Sequence, residues 1–152
     1  MARNCRPDIP EILIRAGAAP DLGAVERLQK QAPEAAQWPP ADYLAYDFRL
    51  ADCEAELAGF AVARTVASDE AELLNLVVAP EFRRCGVATR LLQDLAARHP
   101  GTVFLEVRES NDGARNFYYR NKFIDVAIRK NYYRHPVEDA IVMLRTLPEV
   151  PA

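Results

Sequence analysis

One stretch of this sequence, Ala71 to Arg98, limits the possible folds more than any other. It begins with an almost unbroken apolar run, which is typical of a strand buried on both faces. Pro80 ends that run, because proline has no amide hydrogen to donate to a sheet. Apolar residues then recur at helical spacing, at Ala88, Leu91, Leu92, Leu95 and Ala96. The sequence therefore predicts a strand, a turn and a helix in succession.

The turn between this strand and this helix is basic and contains a glycine. The first turn of a helix leaves backbone N–H groups unpaired and carries the positive end of the helix dipole, so it can bind an anion. Gly86 permits a positive φ or a close approach to a ligand, and Arg83 and Arg84 add fixed positive charge. The pattern predicts a phosphate or pyrophosphate site, although a solvated loop explains the turn by itself equally well.

The rest of the chain predicts alternating short elements. We expect strands at Glu11–Arg15, Asp47–Asp52, Glu56–Val66, Thr102–Val107, Phe123–Arg129 and Asp139–Leu144, and helices after Asp21, within Ala41–Tyr46 and from Ser110 or Asn111 to about Asn121. A helix separates the strand at Thr102–Val107 from the strand at Leu73–Val78, so the two are predicted to be parallel neighbours. Neighbours of this kind bind ligands at their carboxyl ends.

Length, charge and cysteines narrow the class of protein. The 152 residues suit one domain with a real core. A net charge of −3 argues against a sequence-independent nucleic-acid binder or a membrane-surface binder. Cys5, Cys53 and Cys85 have no metal-ligand spacing, so we expect no metal and reduced thiols. The absence of a signal-like or membrane-spanning apolar stretch favours a cytoplasmic protein.

The basic turn also carries a family resemblance. Arg83-x-x-Gly86-x-Ala88 after a hydrophobic strand resembles the coenzyme A pyrophosphate loop of the GNAT superfamily of N-acetyltransferases. The resemblance implies an α/β fold with a mostly antiparallel mixed sheet, one splayed parallel strand pair and helices on both faces. The pantetheine arm of acetyl-CoA would lie in that gap and pair with backbone groups as an extra strand does. The cofactor-binding residues would then be Leu76, Val77, Val78, Arg83, Arg84, Cys85, Gly86, Val87, Ala88 and Thr89.

The second half of the chain is similar to a narrower group, the RimI-like ribosomal-protein alanine N-acetyltransferases. The segments that carry this similarity are Leu105–Arg108, Ser110–Asn111, Phe117–Tyr118, Arg129–Tyr133 and Glu138–Met143. The resemblance implies that Glu106 is the general base, that Tyr118 is the general acid, and that Asn111 and Tyr118 contact acetyl-CoA. The acceptor would be the N-terminal α-amine of a protein, with the N-terminal alanine of a small-subunit ribosomal protein as the leading candidate.

Other interpretations stay open at this point. A carboxylate in an apolar strand is costly unless it has a partner, so Glu106 has either a structural or a chemical role. Tyr118 on a helix face could simply be a core residue. Lys122, Gln37–Pro39 and the short loop Arg134–Val137 depart from the pattern of the narrower group near the expected peptide entrance. A broader N-terminal or small-amine acetyltransferase, or a coenzyme A-binding module without turnover, would also fit.

Overall fold

A computed structural model describes residues 11–146. Contacts within this range divide it into two compact units. The first unit comprises residues 11–64 and 73–98, and the second comprises residues 65–72 and 99–146. Each unit is described by itself below.

Seven strands and three α-helices alternate along the chain. The strands are β1 (Ile12–Ala16), β2 (Asp47–Cys53), β3 (Glu56–Ala67), β4 (Glu70–Val78), β5 (Thr102–Arg108), β6 (Ile124–Tyr133) and β7 (Glu138–Thr146). The helices are α1 (Leu22–Lys30), α2 (Val87–Arg98) and α3 (Asp112–Arg120), and 3-10 turns occupy Ala19–Asp21, Pro40–Ala45 and Pro80–Phe82. Every element predicted from the sequence is present.

The strands form a mixed sheet in the order β1-β2-β3-β4-β5-β7-β6. β4 and β5 are the parallel neighbours that the intervening helix predicted. Their pairing joins Glu70–Glu72 to Thr102–Phe104, and these residues all lie in the second unit. The pairs β1–β2, β2–β3, β5–β7 and β6–β7 are antiparallel. The predicted mixed, mostly antiparallel sheet is confirmed.

The first unit carries helices on both faces of its strands. Phe48 and Phe60 pack against Tyr43, with ring centroids 5.6 and 5.7 Å from the tyrosine ring, on the α1 side. On the other face, Arg49 forms an ion pair with Asp94 of α2. Gly59 lets α2 approach closely, because a Cβ at this position would lie 2.6 Å from the Val77 carbonyl oxygen and 3.0 Å from the Val87 side chain.

In the second unit, a hydrogen-bonded turn ends α3. The N–H of Phe123 donates to the Tyr118 carbonyl and the N–H of Lys122 donates to the Tyr119 carbonyl, which together form a Schellman motif. The rings of Tyr118 and Phe123 lie 5.3 Å apart, which supplies the hydrophobic contact that accompanies this motif. Lys122 has φ +70°, so it adopts the left-handed conformation that glycine favours. Lysine at this position therefore forms the same kind of turn that glycine would form.

Three sequence predictions need correction. β4 is fully buried on one face only, because Leu74, Leu76 and Val78 are half-buried. β6 extends beyond Arg129 to Tyr133, since its pairing with β7 resumes at Glu138 after an irregular stretch. Asp21 precedes α1 but does not cap it, because its carboxylate instead accepts from the Ala18 N–H and from Arg15.

The cysteines behave differently from one another. Cys53 is a buried free thiol, as predicted. Cys85 takes part in a disulfide, so the prediction of a reduced thiol is wrong there. Cys85 lies half-buried on the turn before α2. Cys5 lies outside the described residues.

No helix within residues 11–146 is long and apolar enough to cross a membrane. In the same range, no group of three or more histidine, cysteine, aspartate or glutamate side chains is arranged to hold a metal ion.

Candidate active site

The basic turn of the first unit leads into α2 through residues with positive φ. Pro80–Phe82 forms one 3-10 turn, and Arg84 and Gly86 follow with φ of +62° and +81°. α2 then begins at Val87, and the Gly86 carbonyl accepts the Arg90 N–H. Nothing lies within 4 Å of the position where a Cβ on Gly86 would be, so the backbone there is open to a ligand.

The charges of this turn point outward. Arg83 and Arg84 are exposed, whereas Phe82 is buried and anchors the turn to the interior of the unit. Ala88 and Thr89 are half-buried in the first turn of α2. The donors at this helix start and the two guanidinium groups suit the pyrophosphate of coenzyme A in charge and hydrogen-bonding type.

The backbone of β4 is only partly available to a ligand. The side-chain oxygen of Asn75 accepts the Leu76 N–H at 3.1 Å. The N–H of Ala79, one residue after the strand, donates to the Ala58 carbonyl at 2.7 Å. A cofactor that pairs with Leu76, Val77 and Val78 would therefore have to use the Leu76 carbonyl rather than its N–H.

Asn75 belongs to a buried polar cluster that the sequence did not reveal. Tyr43 donates to the Gln29 side-chain oxygen at 2.5 Å, and the Asn75 amide donates to the Tyr43 hydroxyl at 3.0 Å. Asn75 and Gln29 also donate to the carbonyls of Ala36 and Trp38, at 2.9 and 2.7 Å. Burial raises the pKa of Tyr43. The cluster ties the proline-rich loop of residues 31–39 to the middle of β4.

Glu106 lies on the half-buried face of β5, while Leu105 and Val107 on the other face are buried. Its side chain is 15% exposed. Arg129 donates to its Oε1 atom at 2.6 Å, and the Tyr132 hydroxyl hydrogen-bonds the same carboxylate. Glu106 therefore has the structural partner that the sequence analysis considered and also some access to solvent, and its chemical role stays a prediction.

Tyr118 is a buried residue of α3, packed between Phe117 and Phe123 with ring centroids 5.3 Å away in each case. Its hydroxyl makes no hydrogen bond to any other residue in the described range. Burial, and to a lesser extent the nearby Tyr133, raises the pKa of Tyr118 above the usual tyrosine value. The hydroxyl thus stays protonated and can donate a hydrogen bond.

Tyr133 is close enough to both Glu106 and Tyr118 to be coupled to each electrostatically. Burial, followed by the charge of Glu106, raises the pKa of Tyr133 to about 12. The guanidinium of Arg108 lies 4.3 Å from the centre of the Tyr133 ring and forms an ion pair with Glu138 at 3.3 Å. The second unit therefore gathers these side chains into one polar cluster. Sequence reasoning named Arg129–Tyr133 as a motif but gave no role to these aromatic rings.

Asn111 has a structural task in the second unit. Its side-chain oxygen accepts the Ala114 N–H at 3.2 Å and so caps α3, as the sequence predicted. The neighbouring Ser110 N–H donates to Glu138 at 2.6 Å. Hydrogen bonds from Ser110, and then the charge of Arg108, hold the pKa of Glu138 below its usual value. The start of α3 is thereby fixed to β7.

Comparison with known proteins places this arrangement in context. Residues 15–123 match the acetyltransferase (GNAT) family. Over 95 residues, 58% of this chain, the sequence is 41% identical to the ribosomal protein bS18-alanine N-acetyltransferase of Haemophilus influenzae, and the match spans 64% of that relative. An uncharacterised N-acetyltransferase of Methanocaldococcus jannaschii is 31% identical over 90% of this chain and 93% of its own length.

A solved structure agrees with the sequence comparisons. The crystal structure of the ribosomal-protein-S18-alanine N-acetyltransferase from Escherichia coli superposes with a TM-score of 0.78 at 28% identity. It covers 93% of this chain and 97% of its own. The similarity to this structure extends into the first seventy residues, where the sequence had matched the narrower group only in outline.

Proposed function

Since this chain belongs to the acetyltransferase (GNAT) family, we propose that it is an enzyme that transfers acetyl from acetyl-CoA to the N-terminal α-amine of a protein in the cytoplasm. The preferred acceptor is the N-terminal alanine of a ribosomal protein of the bS18 type. The observation that carries this proposal is Glu106, a carboxylate on the half-buried face of β5 in the same unit as Tyr118, whose hydroxyl has no partner among the described residues.

The pyrophosphate of acetyl-CoA binds at the basic turn before α2. The start of α2, together with Arg83, Arg84 and Gly86, offers N–H groups and guanidinium charge to the pyrophosphate. Cys85, Val87, Ala88 and Thr89 complete the turn around it. The pantetheine arm pairs with the β4 backbone at Leu76, Val77 and Val78. Asn111 and Tyr118 are the further cofactor-binding residues that the family resemblance implies.

Glu106 takes the proton of the acceptor, directly or through a water molecule. An α-ammonium has a pKa of about 7.7 to 8, so a minority is already neutral at pH 7 and the base needs to give only modest help. The free amine then attacks the thioester carbonyl, whose oxygen the N–H groups near Val78 stabilise.

Tyr118 assists departure of the thiolate of coenzyme A. That thiolate has a pKa of about 8.5 by analogy with cysteine, well below the reference value of about 10 for tyrosine. Complete proton transfer from Tyr118 is uphill, and its burial makes it more so. The hydroxyl therefore acts mainly by donating a hydrogen bond to the sulfur as charge develops there.

A second candidate is a broader N-terminal or small-amine acetyltransferase. The N-acetyltransferase of Methanocaldococcus jannaschii, which matches 90% of this chain, is uncharacterised, whereas the match to the bS18-alanine enzyme of Haemophilus influenzae covers 58% of this chain, so the acceptor is not fixed by similarity. A coenzyme A-binding module without turnover is the third, and the joint presence of Glu106, Asn111 and Tyr118 argues against it because binding alone does not need all three.

One assay separates these candidates. Acetyl transfer is measured on short peptides that begin Ala-Arg, on the same peptides with a blocked N-terminus and a free lysine, and on small amines. Rapid turnover of the free Ala-Arg peptides alone supports the proposal. Comparable rates on lysine side chains or small amines would support the broader enzyme, and binding of acetyl-CoA without any product would support the module.

A further inference from the structure

The carboxylate of Glu106 already holds a cation. Val142 of β7 is paired with Glu106 of β5 on one side and with Ala127 of β6 on the other. Arg129 of β6 is paired with Ala140 of β7 and lies on the same face of the sheet as Glu106. From that position the Arg129 guanidinium reaches Glu106 Oε1 at 2.6 Å. The guanidinium thus occupies the place next to Glu106 where a protonated amine would also bind.

Arg129 is the more exposed partner of this ion pair. Its side chain is 53% exposed, whereas that of Glu106 is 15% exposed. The guanidinium has a second contact, because it lies 4.3 Å from the centre of the Tyr132 ring. Cation–π contact with a tyrosine ring favours a guanidinium even when it has no anionic partner. Arg129 can therefore leave Glu106 and keep a favourable position on β6.

The two roles of Glu106 are in conflict while this ion pair exists. The Arg129 guanidinium already uses Glu106 Oε1 as its hydrogen-bond acceptor. An incoming α-ammonium is itself a cation and forms the same kind of charge-assisted hydrogen bond. The ammonium and the guanidinium therefore compete for one carboxylate.

We infer that Arg129 is a positioning residue that serves as the resident counter-ion of Glu106, and that the α-ammonium of the acceptor displaces it from the carboxylate while its contact with the Tyr132 ring is kept. This inference rests on the proposed function. Arg129 then holds the Glu106 carboxylate in place between turnovers, and it yields the carboxylate only to another cation. An acceptor without a free amine does not release the base.

Other charged groups near the pair come from neighbouring strands. On β6, Tyr132 hydrogen-bonds Glu106 and Tyr133 is coupled to it. The charge of Glu72 on β4 raises the pKa of both Arg129 and Tyr132, and the charge of Arg108 on β5 lowers the pKa of Tyr133. Among these cations, Arg129 is the one whose guanidinium contacts the Glu106 carboxylate. Replacing Arg129 should therefore affect amine binding at Glu106 more than replacing Arg108.

The test uses the variants Arg129→Gln and Arg129→Lys, with Lys130→Gln as a matched control. Lys130 is an adjacent cation whose partner is Asp139 instead of Glu106. We expect Arg129→Gln to lower the KM for an Ala-Arg peptide by about two- to fivefold, with a smaller effect on kcat, because the α-ammonium no longer competes with a guanidinium for Glu106. Arg129→Lys should keep the wild-type KM, because lysine restores the competing charge, and Lys130→Gln should leave the KM unchanged.

Binding of the acceptor gives a second readout. Loss of the competing guanidinium should tighten binding of an Ala-Arg peptide, measured by calorimetry, by about two- to fivefold, since an exposed ion pair competes only modestly. An unchanged KM for the Ala-Arg peptide in Arg129→Gln, or weaker peptide binding in that variant, would overturn the inference. Failure of the proposed function looks different, because the wild-type protein would then acetylate none of the amines.

Discussion

At the level of single residues, Glu106 is a charged side chain in an apolar strand that has an ion-pair partner and is still accessible to solvent. β5 alternates between a buried face and a half-buried face, and Glu106 falls on the latter. Arg129 supplies the partner that a carboxylate in an apolar strand needs. Because that partner comes from another strand and is itself exposed, the carboxylate is stabilised without being sealed from solvent.

Replacing Glu106 tests its chemical role directly. We expect Glu106→Gln to keep its affinity for acetyl-CoA and to lower kcat by about 100-fold, the lower end of what general acid–base groups contribute. The loss should be greatest below the pKa of the acceptor amine, where most of the amine is protonated. Rate profiles between pH 6 and 9 and calorimetry with acetyl-CoA measure both effects, and an unchanged rate across this range would remove Glu106 from the mechanism.

Lys122 offers a test of backbone strain. With φ +70°, it occupies a conformation that costs a residue with a Cβ more than it costs glycine. We expect Lys122→Gly to raise the free energy of unfolding by about 0.5 to 1 kcal/mol, after the larger entropy of glycine in the unfolded chain is subtracted. Urea unfolding measures the difference. Lys122→Ala keeps the Cβ and should give no such gain, so equal gains in both variants would refute this explanation.

At the level of elements, the strand, basic turn and start of α2 act as a unit. We expect the double variant Arg83→Ala with Gly86→Glu to abolish acetyl-CoA binding, because it removes one positive charge and places a negative one at the start of α2. Calorimetry measures the binding, and circular dichroism checks the fold. Arg27→Ala, which removes an exposed arginine from α1, should bind normally. Intact binding by the double variant would discredit the phosphate turn.

Every helix and strand could be predicted from the sequence, because each has a local signal. Apolar periodicity marks β4 and α2, and Pro80 and Gly86 mark the turn between them. The buried contacts could not be predicted in the same way. Asn75 looked like an ordinary interruption of an apolar run, and only packing brings it to Gln29 and Tyr43.

The predicted site residues also differ in whether a local sequence signal or a long-range contact defines them. The sequence allowed the turn residues Arg83 to Gly86 and the N-cap Asn111 to be recognised, because each of these features is formed by residues next to one another in the chain. The pairing of Glu106 with Arg129 joins residues 23 positions apart, so no local pattern reveals it. The cofactor and substrate roles of these residues stay predictions, as does the single domain expected from the chain length.

For the molecule as a whole, acid sensitivity should reflect the carboxylates whose pKa is lowered in the folded state. Glu138 is one of them, through Ser110 and Arg108. A lowered folded-state pKa contributes stability above the unfolded value near 4.5, and this contribution is lost as the pH falls through the folded value. We expect the free energy of unfolding to decrease below about pH 4.5 and to decrease less steeply in Glu138→Gln. Urea unfolding at several pH values measures the slope.

The control for this prediction is Glu34→Gln, because Glu34 is an exposed carboxylate on the loop after α1, away from Ser110 and Arg108. It should reproduce the wild-type slope. If Glu138→Gln and Glu34→Gln lost stability equally with acid, the hydrogen bonds at the start of α3 would have no part in it.

The buried amide and phenol groups of Gln29, Tyr43 and Asn75 have a consequence for how this scaffold can diversify. They fasten the proline-rich loop through the carbonyls of Ala36 and Trp38, so the loop keeps its path whichever side chains it presents outward. Natural variation or laboratory selection could therefore exchange those outward side chains while the neighbouring strand stays in register. Preference for one partner over another could then change without the protein having to refold around a new loop.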